Sequence, residues 1–99
     1  MNLKQKNSEA LKSLCQEHYV DTLYLFGSAT TEKFSASSDI DLLVKFKPFS
    51  IESYFRNYTL FKEKLKVLFQ RKIDLVEEQT LKNPVLIKSI NKNKELIYG

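Results

Sequence analysis

Glycine, proline and cysteine are scarce in this 99-residue sequence, with two, two and one respectively, and tryptophan is missing altogether. So few turn formers leave little room for long linkers and exclude a Gly/Pro-rich disordered chain. The lone Cys15 rules out an internal disulfide and fits a reducing compartment. No apolar run approaches the ~20 residues of a membrane span. The opening stretch MNLKQKNSEA lacks the apolar core of a secretory signal. The expectation is a cytoplasmic protein with no membrane partner.

What is present fits one small domain over residues 1–99, near the lower limit for an independent core. Apolar residues make up 42% of the chain, enough for a globular fold. The net charge of +4 favours anionic partners only weakly. Lys62, Lys64, Lys66, Arg71 and Lys72 cluster, but lysines on an amphipathic helix usually mark a solvated face, so direct nucleic-acid binding is not expected. Homo-oligomerisation stays open.

Periodicity places a helix over 8–19, where Leu11, Leu14, Cys15, His18 and Tyr19 share a face. Thr22 to Phe26 is short, β-branched and aromatic, and reads as a strand ended by Gly27-Ser28. A short helix over 29–33 and a serine-rich loop from Phe34 to Ser38 follow. The second strand spans 40–46 and is closed by Pro48. Ile51, Tyr54, Phe55, Tyr58, Phe61, Leu65, Leu68 and Phe69 form one stripe on a helix over 51–69. Residues 72–76 make a third strand, and Asn83-Pro84 opens a helix running to about Asn91. Leu96 to Tyr98 is a last strand or a helical tail. This order predicts an α+β fold in which helices cover a small mixed sheet of three to four strands.

The second strand opens with two carboxylates that a core has no use for. In an extended chain Asp39 and Asp41 project to the same side, about 6.5–7 Å apart. Two such groups repel unless a cation lies between them. Mg²⁺ takes oxygen ligands, commonly one or two carboxylates plus substrate phosphates. A pair of ions can hold both the attacking and the leaving oxygens of a phosphoryl or nucleotidyl transfer. Asp74 repeats the anomaly within Ile73-Asp74-Leu75-Val76, and it is the candidate third carboxylate, placed to orient or deprotonate an acceptor hydroxyl. At Gly27-Ser28 a glycine lets the backbone approach an anion, and Ser28 adds a hydroxyl donor. Cys15-x-x-His18 supplies only two ligands on one helix, short of a zinc site, and reads as core.

Gly27-Ser28, ten intervening residues and Asp39-x-Asp41, together with Ile73-Asp74-Leu75-Val76, resemble the signature of polymerase-beta-type nucleotidyltransferases. The chain is similar in particular to the minimal nucleotidyltransferases encoded beside HEPN-domain partners, from about Leu23 to Gly99. That resemblance implies a polymerase-beta-like core, dependence on Mg²⁺ with two ions, and ATP as donor. It implies an antitoxin that transfers AMP to a tyrosine of a HEPN ribonuclease toxin. Gly27 and Ser28 would then bind nucleotide phosphates, Asp39 and Asp41 both metals, and Asp74 one metal and the acceptor. Many members carry an arginine just after the Gly-Ser pair; here the stretch is Ala29-Thr30-Thr31-Glu32, with Lys33 the first cation. A non-catalytic antitoxin, or a nucleotide-binding subunit acting by direct contact, is the alternative.

Overall fold

A computed structural model of the chain describes residues 8–27, 39–48 and 50–99. The expected helix over 29–33, the loop from Phe34 to Ser38 and the Ser28 hydroxyl lie outside the described residues. Helix α1 (Ser8–Glu17) leads into strand β1 (Val20–Phe26), followed by β2 (Ile40–Phe46) and the long helix α2 (Ile51–Phe69). Strand β3 (Ile73–Glu77), a 3₁₀ turn (Glu78–Thr80), helix α3 (Pro84–Asn93) and strand β4 (Glu95–Tyr98) complete the chain. The tail is therefore a strand.

The four strands form one sheet in the order β3-β2-β1-β4. β1 runs antiparallel to both β2 and β4, while β2 and β3 are parallel, as a connection through a helix requires. Its core face comprises Leu23 and Leu25 of β1, Ile40, Leu42, Val44 and Phe46 of β2, and Ile73 and Leu75 of β3, all packed against α1 and α2. Phe61 at the centre is fully buried, and its ring sits 6.0 Å from Phe46 and 5.6 Å from His18. On the opposite face α3 covers part of the sheet with buried Ile90, close to Leu43.

Capping chemistry sets several element ends. Tyr19 adopts a left-handed backbone (φ 61°), which stops α1 earlier than its apolar spacing suggests and starts β1 at Val20. The carbonyl of Tyr19 accepts from the Lys47 amide at 2.7 Å, tying this corner to the end of β2. Gln70, also left-handed (φ 55°), ends α2. Asn83 caps α3 as expected, its side-chain oxygen accepting from Val85 N at 3.0 Å and Leu86 N at 3.3 Å.

Two positions on α2 differ from the expected stripe. Phe55 is 78% exposed, on the outer face, whereas polar Asn57 is buried. The reason is His18, also buried at the end of α1. Asn57 Nδ2 donates to the His18 carbonyl and its Oδ1 accepts from His18 Nδ1, both at 2.8 Å. Because the amide donor is committed to that carbonyl, the ring nitrogen facing Oδ1 carries the proton. The Cys15-x-x-His18 pair is thus core: Cys15 is fully buried, and burial pushes its thiol up to about 12. Asn57→Ala leaves two buried groups of His18 without partners. A loss of about 1–3 kcal/mol is expected, the cost of unmade buried hydrogen bonds, read as a lower urea midpoint.

Candidate active site

Parallel pairing of β2 with β3 sets Asp41 directly beside Asp74. The same residue pairs with Phe26 of β1 on its other side. Asp39 precedes β2, two residues before Asp41, and therefore shares its face. The three aspartates named from the sequence thus gather at one end of adjacent central and edge strands. Asp39 and Asp74 are exposed and Asp41 is half-buried. The alternation along β3 explains how Asp74 fits an apolar segment: Ile73 and Leu75 enter the core while Asp74 faces outward.

Their electrostatics are those of crowded anions. The Asp41 carboxyl is raised above the ordinary carboxylate range, first by burial, then by the charges of Asp74 and Asp39 and a hydrogen bond with Asp74. As they stand, no three His, Cys, Asp or Glu side chains among the described residues close around a single point. Exposed Asp39 and Asp74 have room to turn toward Asp41. The donors are all carboxylate oxygens, a set that suits a hard divalent cation such as Mg²⁺ and not zinc.

Gly27 closes the site from the β1 side. Its φ is +70°, a left-handed backbone, and a Cβ built there would collide with Asp41 Oδ2 and lie 3.1 Å from Asp41 Cγ. The left-handed backbone favours glycine at this position, and a larger residue would also have to displace the Asp41 carboxylate. Sequence reasoning reached Gly27 through phosphate binding and missed this contact.

Two residues outside the aspartate trio lie on the core side of β3. Tyr58, placed in the helix stripe, donates its hydroxyl to the Leu75 carbonyl and so fastens the strand residue after Asp74. Burial raises the Tyr58 phenol, and the charges of Asp74 and Glu77 raise it further. Glu77 at the end of β3 is buried, and its Oε1 has no hydrogen-bond partner among the described residues. Glu77 could have been found from its place in an alternating strand, on the same side as Ile73 and Leu75. A recess of about 660 Å³ lies at the other end of β1, lined by Val20, Asp21, Lys47 and Tyr98 among others, and is not part of this cluster.

A mixed sheet of this topology, with helices on both faces, is the polymerase-beta-like nucleotidyltransferase fold, as the sequence reading expected. The chain belongs to the polymerase beta nucleotidyltransferase family, whose model matches residues 9–99, and it is accordingly a nucleotidyltransferase. Among curated proteins it is 34% identical over 87 residues to one from Methanocaldococcus jannaschii that bears the provisional name protein adenylyltransferase; the match covers 88% of this chain and 84% of that one. A solved structure provisionally named a minimal nucleotidyltransferase superposes with a TM-score of 0.75 at 28% identity, covering 96% of this chain and 95% of its own. A complex of tri-AMPylated Shewanella oneidensis HEPN toxin with MNT antitoxin has a chain of the same fold, with a TM-score of 0.67 at 20% identity. That match covers 98% of this chain and 73% of the other. Among the described residues, no helix is long and apolar enough to cross a membrane.

Proposed function

We propose that this protein transfers AMP from ATP to a hydroxyl of a partner protein, and that the acceptor is a tyrosine of a HEPN-type toxin. The observation that carries the reading is the in-register pair Asp41 and Asp74, with Asp39 beside it and Gly27 packed against the Asp41 carboxylate. The family supports nucleotidyl transfer, the adenylyltransferase name of the Methanocaldococcus relative supports the AMP unit, and the AMPylated toxin in the Shewanella complex supports the kind of acceptor.

In this reading Asp39, Asp41 and Asp74 hold the divalent cations, and Gly27 and Ser28 present their backbone and hydroxyl to the phosphates. Bound Mg²⁺ would neutralise charge building on the phosphate oxygens and lower the barrier to displacement. The acceptor oxygen forms a bond to the α-phosphorus while the bond from that phosphorus to pyrophosphate breaks. Asp74, on the exposed edge strand, takes the hydroxyl proton or passes it to solvent. The exposed edge position leaves Asp74 open to a hydroxyl brought by another protein.

Two measurements test this. Incubation with labelled ATP, Mg²⁺ and the protein encoded next to it should label that neighbour, and intact mass should show whole AMP units. Absence of labelling, or labelling unchanged in the Asp39→Ala/Asp41→Ala variant, overturns catalysis. Without any partner, Mg²⁺ at millimolar concentration should raise the melting temperature of the wild type near pH 7.5. The double variant should show no rise.

A further inference from the structure

The structure assigns Lys94 as the cation that grips the phosphates of the nucleotide, a role that rests on the nucleotidyltransfer reading above. Three observations place it there. Lys94 is the residue that ends α3, its amide donating to the Ile90 carbonyl at 2.8 Å, and Ile90 is the buried anchor of that helix. Its backbone position is therefore fixed by the fold. The β1–β4 pairing sets Leu25 beside Glu95, and continuing this antiparallel register by one residue sets Phe26 beside Lys94. Phe26 in turn pairs with Asp41, and Asp41 with Asp74.

One row across the sheet thus runs Lys94, Phe26, Asp41, Asp74, with the cation at one end and the carboxylates at the other. Neighbouring strands lie about 4.8 Å apart, so the Lys94 backbone is about 10 Å from that of Asp41. Metals held by the carboxylates and a phosphate chain leading away from them fit this span. The ammonium is already on the right face: it rests 4.2 Å from the centroid of the Tyr24 ring. Tyr24 lies two residues before Phe26 on β1 and so points to the same side. Among the described residues Lys94 has no carboxylate partner, and its side chain is partly buried.

The chemistry calls for such a group. A nucleoside triphosphate brings several negative charges to a face that already holds three carboxylates, and ions bound between the carboxylates balance only part of the total. A lysine parked on an aromatic face gives up a weak contact when it turns to a phosphate oxygen, and the charge-assisted bond it gains is stronger. Lys94 serves binding here and takes no part in bond making.

The test uses the full chain, Mg²⁺ and calorimetric binding of α,β-methylene-ATP, which cannot release pyrophosphate, beside adenosine as a probe without phosphates. Lys94→Met is expected to weaken the triphosphate analogue by about tenfold or more, the usual worth of a charged hydrogen bond. Adenosine binding should stay at the wild-type level, and Lys94→Arg should recover most of the loss. The difference between wild type and Lys94→Met should shrink as salt is raised. Equal binding of the analogue by wild type and Lys94→Met overturns the assignment while leaving nucleotidyltransfer intact, as does an equal loss for adenosine. A wild type that binds no analogue at all overturns the underlying nucleotide reading, and the role of Lys94 falls with it.

Discussion

Asp41→Asn should abolish nucleotidyl transfer and, in the same protein, raise the melting temperature measured at neutral pH without divalent cations. The two effects have one cause. Asp41 is the half-buried member of a cluster in which burial, Asp74 and Asp39 all oppose its ionisation. Asparagine keeps the shape and removes the charge, so the repulsion disappears along with the cation ligand. Loss of one electrostatic stabiliser of a transition state costs roughly 10²–10³-fold in rate, and removing a central metal ligand should fall at or beyond the upper end. Transfer to the partner followed by intact mass reads the first effect, and thermal denaturation in EDTA reads the second. A variant as active as wild type removes Asp41 from the mechanism.

The sign of the pH dependence follows from the direction of that shift. A carboxyl whose pKa is higher folded than unfolded binds more protons in the folded state, so it contributes stability on the acid side. The contribution is fully present below the unfolded value near 3.8 and is lost as pH rises through the elevated folded value. Metal-free wild type should therefore lose stability as pH climbs through this window. Asp41→Asn should flatten that part of the profile. Mg²⁺ should flatten it too, by holding the ionised carboxylates together.

Gly27→Ala is the second large effect. Two penalties add at this position: a left-handed backbone that costs an L-residue about 1–2 kcal/mol, and a methyl group placed against the Asp41 carboxylate. Each kcal/mol lowers the melting temperature of a domain this size by about 4–8 °C. Asp41 must turn aside to make room, and a misplacement of about 1 Å can reduce a rate about 10²-fold. The two contributions separate in an Asp41→Ala background, where the collision is absent. There Gly27→Ala should retain only the backbone penalty, and a full-sized loss of stability would show that the carboxylate contact is irrelevant.

The carboxylate motif was legible because a strand alternates strictly: Asp39 and Asp41 had to share a face, and an unsupported pair of charges needed a reason. Helix α2 was legible from its period and α3 from Asn83-Pro84, since both signals are local. What local pattern could not supply was pairing across distance. Asp41 meets Asp74 only because β2 and β3 are parallel and in that register. Nothing local marks Asn57 as buried, since its partner His18 lies 39 positions away. Phe55 looked like core, yet the 100° step of the helix carries it outward while Asn57 turns in. Gly27 was found by its association with phosphates, but the carboxylate packed against it became visible only in three dimensions.

The row that contains the carboxylates takes Phe26 from β1, Asp41 from β2 and Asp74 from β3, with Lys94 at the junction of α3 and β4. A ribosome-bound fragment that stops before β3 lacks Asp74 and has no complete carboxylate set to act with. Two of the four strands, β3 and β4, are edges, and edges open by local fluctuation before the centre of a sheet does. Hydrogen exchange at the β3 amides would then report how often Asp74 leaves its place. The durability of the activity is set by the least protected strands of the fold, and the buried centre around Phe61 can stay intact while the enzyme is switched off.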